Sequence, residues 1–186
     1  KGVQRLLGTL NFFSRYIPNM STITHPIREL LGKYVPFHWT PTHSQAFTQI
    51  KQILANAPVL GYYNVEKDII LEADASSLGL GACILQDGKP IAYASRSLTT
   101  AQTHYAQIEK ELLAIVFGCE RFRQYLYGKD ILVHTDHKPL VNTIDKPLHD
   151  NPKRIQRLLL RLQGYNLTLK YIPGKDLHVP DMLSRA

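Results

Sequence analysis

Cysteine is scarce in this chain: Cys83 and Cys119 are the only two among 186 residues, and no Cys-x-x-Cys pair occurs. That excludes a disulfide framework and a cysteine-based zinc site, and it points to a reducing compartment. Long apolar runs are missing as well. The longest, such as Leu112-Leu113-Ala114-Ile115-Val116-Phe117, fall well short of the ~18 residues that span a bilayer. The amino end, Lys1-Gly2-Val3-Gln4-Arg5, has neither an initiator methionine nor a signal-peptide core. With the abrupt end at Leu183-Ser184-Arg185-Ala186, the chain reads as a piece of a longer polypeptide. Acidic residues are the minority charge: 15 Asp and Glu stand against 22 Lys and Arg, a net charge of +7 that points towards a polyanionic partner. No Tyr-x-Asp-Asp string is present, which argues against DNA polymerisation, and Asp74-Ala75-Ser76 is not the Asp-Thr/Ser-Gly of an aspartic protease.

What is present suffices for a core. A hydrophobic content of 44% is ordinary for a globular chain, so one full domain with a smaller appendage is expected and intrinsic disorder is disfavoured. Residues 1 to about 60 carry apolar positions at helical spacing, in Val3, Leu6, Leu7, Leu10 and Phe13 and again in Ile27, Leu30 and Leu31, punctuated by Pro18 and Pro26. Thr40-Pro41 opens a further helix through Ala46, Phe47, Ile50 and Ile53. From about residue 66 the pattern turns to strands: Asp68 to Ala73, then Leu80 to Leu85 and Lys89 to Ser95 around the turn Asp87-Gly88. A long helix is expected from Ala101 to Leu126, closed by Gly128-Lys129. There follow a strand at Ile131 to Thr135, short helices around Leu140 and from Ile155 to Leu162, a strand at Asn166 to Tyr171, a Pro173-Gly174 turn and a last helix opened by Pro180. The order describes an α/β fold with a mixed sheet flanked by helices.

Four acids stand in informative places. Asp74 ends the first apolar strand and Asp136 follows the strand 131–135, and the carboxyl ends of strands are where ligands bind in open α/β sheets. Taken singly, each also fits ordinary turn chemistry. Glu111 lies at the edge of the helical stripe Ile108, Leu112, Ile115, Cys119 and Phe122, where a carboxylate needs a compensating cation; neighbouring Glu109 is the alternative at this spacing. Asp181 falls in the first turn of the last helix, where the helix dipole alone would favour an acid. If the four converge, their hard oxygen ligands suit Mg²⁺ or Mn²⁺ rather than zinc, and paired ions of that kind serve phosphodiester cleavage. His134 and His137 flank Asp136 without further ligands for a zinc site.

The strings Leu71-Glu72-Ala73-Asp74-Ala75-Ser76, Pro90-Ile91-Ala92-Tyr93-Ala94-Ser95-Arg96-Ser97-Leu98, Glu109-Lys110-Glu111-Leu112-Leu113-Ala114-Ile115-Val116, Phe122-Arg123-Gln124-Tyr125-Leu126, Thr135-Asp136-His137-Lys138-Pro139-Leu140 and Tyr171-Ile172-Pro173-Gly174-Lys175, with Asp181-Met182-Leu183-Ser184-Arg185, form an ordered set. That set resembles the ribonuclease H domain of Ty3/gypsy-type LTR retrotransposon Pol polyproteins. Leu6-Leu7-Gly8, Asn11-Phe12-Phe13, Arg15-Tyr16-Ile17-Pro18 and Ala57-Pro58-Val59-Leu60 resemble the thumb and connecting end of the reverse transcriptase. The resemblance implies an RNase H-like mixed five-stranded sheet over residues 63–186, preceded by a small helical thumb and connection remnant over residues 1–62. It implies that Asp74, Glu111, Asp136 and Asp181 are the metal-binding catalytic carboxylates, with Glu111 preferred over Glu109 because the family's glutamate directly precedes the Leu-x-Ala-Ile run. Two Mg²⁺ ions, replaceable by Mn²⁺, would serve cleavage of the RNA strand of an RNA/DNA hybrid. The partners implied are the hybrid and the remaining reverse transcriptase domains, without a membrane, in a cytoplasmic virus-like particle and also in the nucleus. The alternative is a catalytically silent RNase H-like module, domesticated by its host, that binds nucleic acid or tethers other domains; the four intact acids favour the enzyme.

The chain departs from cellular and some retroviral relatives in one respect. The segment Ile172 to Leu177 is short and lacks the loop histidine that precedes the last aspartate there; His178, the only nearby imidazole, reads as a helix-start residue. Candidate substrate contacts beside the motifs are Ser76, Arg96, Gln107, His137 and Lys138, each of which also suits a turn, cap or surface role. Lys153, Arg154, Arg157 and Arg161 lie along one helix opposite Ile155, Leu158, Leu159 and Leu162, a pattern that tracks a phosphate backbone or merely solubilises an amphipathic helix.

Overall fold

The computed structural model describes residues 2–17, 20–55, 60–173 and 177. Asp181, His178, Gly174 and the last expected helix lie outside the described residues. The helices are α1 (Gly2–Phe12), α2 (Met20–Ile23), α3 (His25–Glu29), α4 (Pro41–Ala55), α5 (Thr100–Thr103), α6 (Gln107–Arg121), α7 (Arg123–Leu126), α8 (Lys138–Ile144) and α9 (Lys153–Leu162). The strands are β1 (Ile69–Ala75), β2 (Gly79–Gln86), β3 (Lys89–Ser97), β4 (Asp130–Thr135) and β5 (Asn166–Tyr171).

The strands form one five-stranded mixed sheet in the order β3-β2-β1-β4-β5. The meander β1-β2-β3 is antiparallel, whereas β4 joins β1 in parallel and β5 joins β4 in parallel. The β2-β3 hairpin turns on Asp87 (φ 51°) and Gly88 (φ 70°), both in the left-handed region that a tight two-residue turn requires. Lys67 pairs with the Asp87 carboxylate.

The single long helix expected over Ala101 to Leu126 is broken into α5, α6 and α7. Competing local hydrogen bonds cause the first break. The Thr99 hydroxyl and the Gln102 side chain form a reciprocal cap that closes α5 into one turn, and Glu109 accepts from the Ala106 N–H, restarting the helix there. Strand β1 extends one residue past Asp74, so this acid sits inside the strand end rather than after it.

The main core fills the space between one face of the sheet and the helices α6 and α9, with Leu71, Ala73, Leu80, Ala82, Leu112, Ile115, Val133, Ile155 and Leu158 among its buried residues. Gly118 sets how closely α6 lies on the sheet. A methyl group there would come within 3.0 Å of Leu71 Cδ1 and 3.2 Å of Ala82 Cβ. A smaller cluster, Cys83, Leu85 and Tyr93 with Leu60 and Ile70, forms on alternate strand positions, hence on the opposite face. The helical segment has its own cluster in Leu10, Ile17, Met20, Ile23, Ile27, Ala46 and Ile50. It meets the sheet where the Ser21 N–H donates to Ser95 Oγ at 3.0 Å. Among the described residues, no helix is long and apolar enough to cross a membrane.

Candidate metal centre

Strand register brings the first two acids together. Ile69 of β1 lies beside Ile131 of β4, and Glu72 beside His134, so continuing the same offset by two residues sets Asp136 next to Asp74 at the carboxyl end of both strands. Parallel neighbours are about 4.8 Å apart, which is the spacing at which two carboxylates can share a cation. The buried Thr135 hydroxyl accepts from the His137 N–H at 3.1 Å, and the Thr135 carbonyl accepts from the Ile172 N–H at 2.9 Å. Those bonds hold the backbone on both sides of Asp136.

Helix α6 supplies the third acid. Its apolar face lies on β1 and β2, and one carboxylate oxygen from each of Asp74, Glu111 and Asp136 lies within 4.8 Å of the others. Glu111 is 4% exposed, Asp74 is half-buried and Asp136 is exposed. Burial and then the Asp74 carboxylate push the Glu111 carboxyl up to about 8, with Asp136 adding to the rise; the Gln107 side chain and the backbone at Ala75 act in the opposite sense. One Glu111 oxygen accepts from Gln107, and the other, Oε2, is buried with no hydrogen-bond partner. A buried carboxylate with an unpartnered oxygen, in a group with two further acids, costs free energy unless a cation compensates. The donor set is all oxygen, which fits a hard divalent ion.

Glu109, the alternative acid on this helix, is occupied elsewhere. Its carboxylate accepts from the Ala106 N–H and takes a two-pronged ion pair from Arg154, at 2.9 and 2.8 Å, outside the cluster.

The remaining sequence candidates divide by what their polar atoms already touch. Ser76 Oγ accepts from the Leu78 and Gly79 N–H groups and shapes the β1-β2 turn. The Arg96 guanidinium donates to Gln102 Oε1 and the Ser97 carbonyl and stacks 5.7 Å from the Phe117 ring. Arg154, bound to Glu109, also lies 4.1 Å over the Tyr105 ring. Arg161 is held by Glu120. Gln107 donates to Ala75 and Glu111. His137 and Lys138 at the start of α8, and exposed Arg157 on α9, make no ion pair among the described residues. Three features escaped the sequence reading: the Thr135 hydroxyl, the Gln107 bridge and the close approach at Gly118. Only the last left a signal, a glycine in a helix interior, where it is unfavourable without a packing reason.

Residues 39–133 match the family model described as an RNase H-like domain found in reverse transcriptase. The Tf2-3 and Tf2-4 transposon polyproteins of Schizosaccharomyces pombe are each 38% identical over the whole chain, which spans 14% of their length. The foamy viral protease-reverse transcriptase solved in complex with an RNA/DNA hybrid superposes with a TM-score of 0.76 at 25% identity, over 99% of this chain and 25% of that one. The same viral protein solved with dsDNA gives 0.73 at 24% identity over 92% of this chain and 37% of that one, a likeness of fold.

Proposed function

Because the chain belongs to the RNase H-like domain family found in reverse transcriptases, we propose that it is a ribonuclease H, a divalent-cation-dependent endonuclease that hydrolyses the RNA strand of an RNA/DNA hybrid during reverse transcription of an LTR retroelement. The observation that carries this reading is the convergence of Asp74, Glu111 and Asp136 at the carboxyl end of two parallel strands. We assign Asp181 as the fourth carboxylate from its place in the sequence pattern. Residues 1–62 are then the thumb and connection end of the reverse transcriptase and residues 63–186 its RNase H domain. Such an enzyme works with the remaining polymerase domains in a cytoplasmic virus-like particle, with the nucleus as a further location.

The carboxylates would hold Mg²⁺, or Mn²⁺ in its place. When bound, two such ions would supply charge neutralisation at the attacking water and at the departing 3′-oxygen. The chain's own residues do the rest. Asp74 and Asp136 stand at the carboxyl ends of neighbouring parallel strands with oxygens already within 4.8 Å, so they need no large rearrangement to share a ligand. Glu111 closes the third side from the helix; burial and the Asp74 carboxylate raise its carboxyl to about 8, so it would have to give up its proton to serve as a cation ligand. His137, Lys138 and Arg157, free of carboxylate partners among the described residues, are the side chains available to phosphates, whereas Arg96 and Arg154 are engaged within the fold. RNA is told from DNA by its 2′-hydroxyl, so a contact to that group sets strand choice.

The direct test is incubation of the folded protein with a hybrid labelled on the RNA strand, with Mg²⁺ or Mn²⁺. Cleavage leaving 5′-phosphate and 3′-hydroxyl ends is expected. An intact hybrid at high enzyme concentration refutes the reading for this chain.

A further inference from the structure

Gln107 is the first residue of α6, and Glu111 lies one turn further on the same face. From there the Gln107 amide nitrogen donates to two acceptors at once: the Ala75 carbonyl at 3.1 Å, and Glu111 Oε1. The Ala75 carbonyl has no proton to offer whatever the charge on Glu111, so the amide can face it only with its nitrogen, and its orientation is fixed by chemistry. The two acceptors belong to different elements. Ala75 directly follows Asp74 in β1, while Glu111 is on the helix. A single side chain therefore ties the backbone beside one acid to the carboxylate of another. With Oε1 held, Glu111 is left with Oε2, which is buried and unpartnered.

We propose that Gln107 is a positioning residue for the cation site, clamping Glu111 to the end of β1 so that one carboxylate oxygen is restrained and the other is left for a divalent ion shared with Asp74 and Asp136. This rests on the metal-site reading above and moves Gln107 from a substrate contact to a support of the acids. Without the clamp, the Glu111 carboxylate regains rotamer freedom and the site loses its preset spacing, so the cation must order it on binding.

The test is titration of the 186-residue chain with Mn²⁺ alone, without nucleic acid, by calorimetry and by electron paramagnetic resonance of the free ion. Gln107→Met keeps length and helix tolerance but removes both donors. Gln107→Asn keeps the amide but is one methylene too short to bridge. Outer-shell partners of metal ligands typically contribute 10–100-fold in affinity, so a Kd for Mn²⁺ weaker by about that factor is expected in Gln107→Met, and a weaker one than wild type in Gln107→Asn. The affinity of the cation-free protein for a hybrid in chelator should stay at the wild-type value, while its melting temperature falls modestly because Glu111 Oε1 and the Ala75 carbonyl lose their donor. Should Gln107→Met not fold, Gln107→Asn carries the same comparison. An unchanged Mn²⁺ affinity overturns the assignment, and if hybrid affinity falls in that same variant, Gln107 is a substrate contact instead. Failure of the wild-type protein to bind Mn²⁺ at millimolar concentration removes the metal site itself and this inference with it, an outcome distinct from a Gln107 variant that binds as wild type does.

Discussion

Asp74, inside the end of β1, and Asp136, the residue after β4, lie within reach of one cation, because extending by two residues the register that pairs Glu72 with His134 sets them side by side. Their juxtaposition thus follows from how β4 is registered against β1. A side chain on a neighbouring helix, Glu111, then closes the group from above.

Replacing either strand-end acid should therefore remove activity while leaving the fold intact. Asp74→Asn and Asp136→Asn are expected to lower hybrid cleavage by more than the roughly 100-fold that marks the upper range for outer-shell partners. Far-UV circular dichroism should match wild type. Glu109→Gln, which touches only a helix cap and Arg154, should keep most of the activity. Equal loss in Glu109→Gln and Glu111→Gln would contradict the placement of the third acid.

Stability of the cation-free protein should depend on pH through Glu111. Its carboxyl is raised from 4.5 to about 8, so between those values the folded chain holds a proton that the unfolded chain has released. Stability from this group is complete below about pH 4.5 and is lost as the pH rises towards 8, by on the order of a few kcal/mol. Urea unfolding of wild type minus that of Glu111→Gln, measured from about pH 5 to 8.5, should show this decline, and saturating Mn²⁺ should flatten it because the ion binds the ionised form. A difference curve that rises with pH would refute the argument.

Gly118→Ala should be destabilising despite the better helix propensity of alanine. The added methyl meets Leu71 and Ala82 at 3.0 and 3.2 Å, so α6 or the Leu71 side chain has to shift. A cost of about 1–3 kcal/mol in urea denaturation is typical of such overpacking. The same shift would move Glu111, two turns away on the same helix, so cleavage should fall in parallel. A stabilised variant would show that α6 does not lie as closely on the sheet as described.

Nucleic-acid affinity should separate the basic residues by their partners. Arg157 has no ion pair among the described residues, whereas Arg154 is bound to Glu109 and Tyr105. Arg157→Ala should weaken hybrid binding and reduce the slope of log K against log salt by about one, as expected for one lost phosphate contact. Arg154→Ala should chiefly cost stability. The reverse ranking in filter-binding titrations would show that α9 presents a different face to the hybrid.

Much of this architecture could be read from residue order because it is local. Asp87-Gly88 announces the hairpin, since both residues tolerate the positive φ that the turn needs, and the branched residues of β1 and β4 announce strands with acids at their ends. The break before α6 is equally local: Thr99 with Gln102, and Glu109 reaching back to Ala106, are caps that override an apolar periodicity compatible with one helix. What could not be read was where the long side chains spend their donors. Arg154 finds Glu109, 45 residues away, and Gln107 finds the Ala75 carbonyl, 32 away. Those distances in sequence close only when α6 is packed against α9 and β1, so basic spacing along α9 points Arg154 to a substrate, and adjacency to a motif does the same for Arg96, whose donors go to Ser97 and Gln102.

The two cysteines now acquire a use that their scarcity concealed. Cys83 lies in the small cluster under Tyr93 on one side of the sheet, and Cys119 lies among the α6 residues on the other. Burial drives both thiols up, Cys119 to about 12 and Cys83 in the same direction, so neither offers a nucleophile to reagents in the folded state. Each becomes reactive only when its own side of the sheet opens. The chain thus carries two silent chemical markers, one per side, able to tell whether the layers come apart together or one before the other.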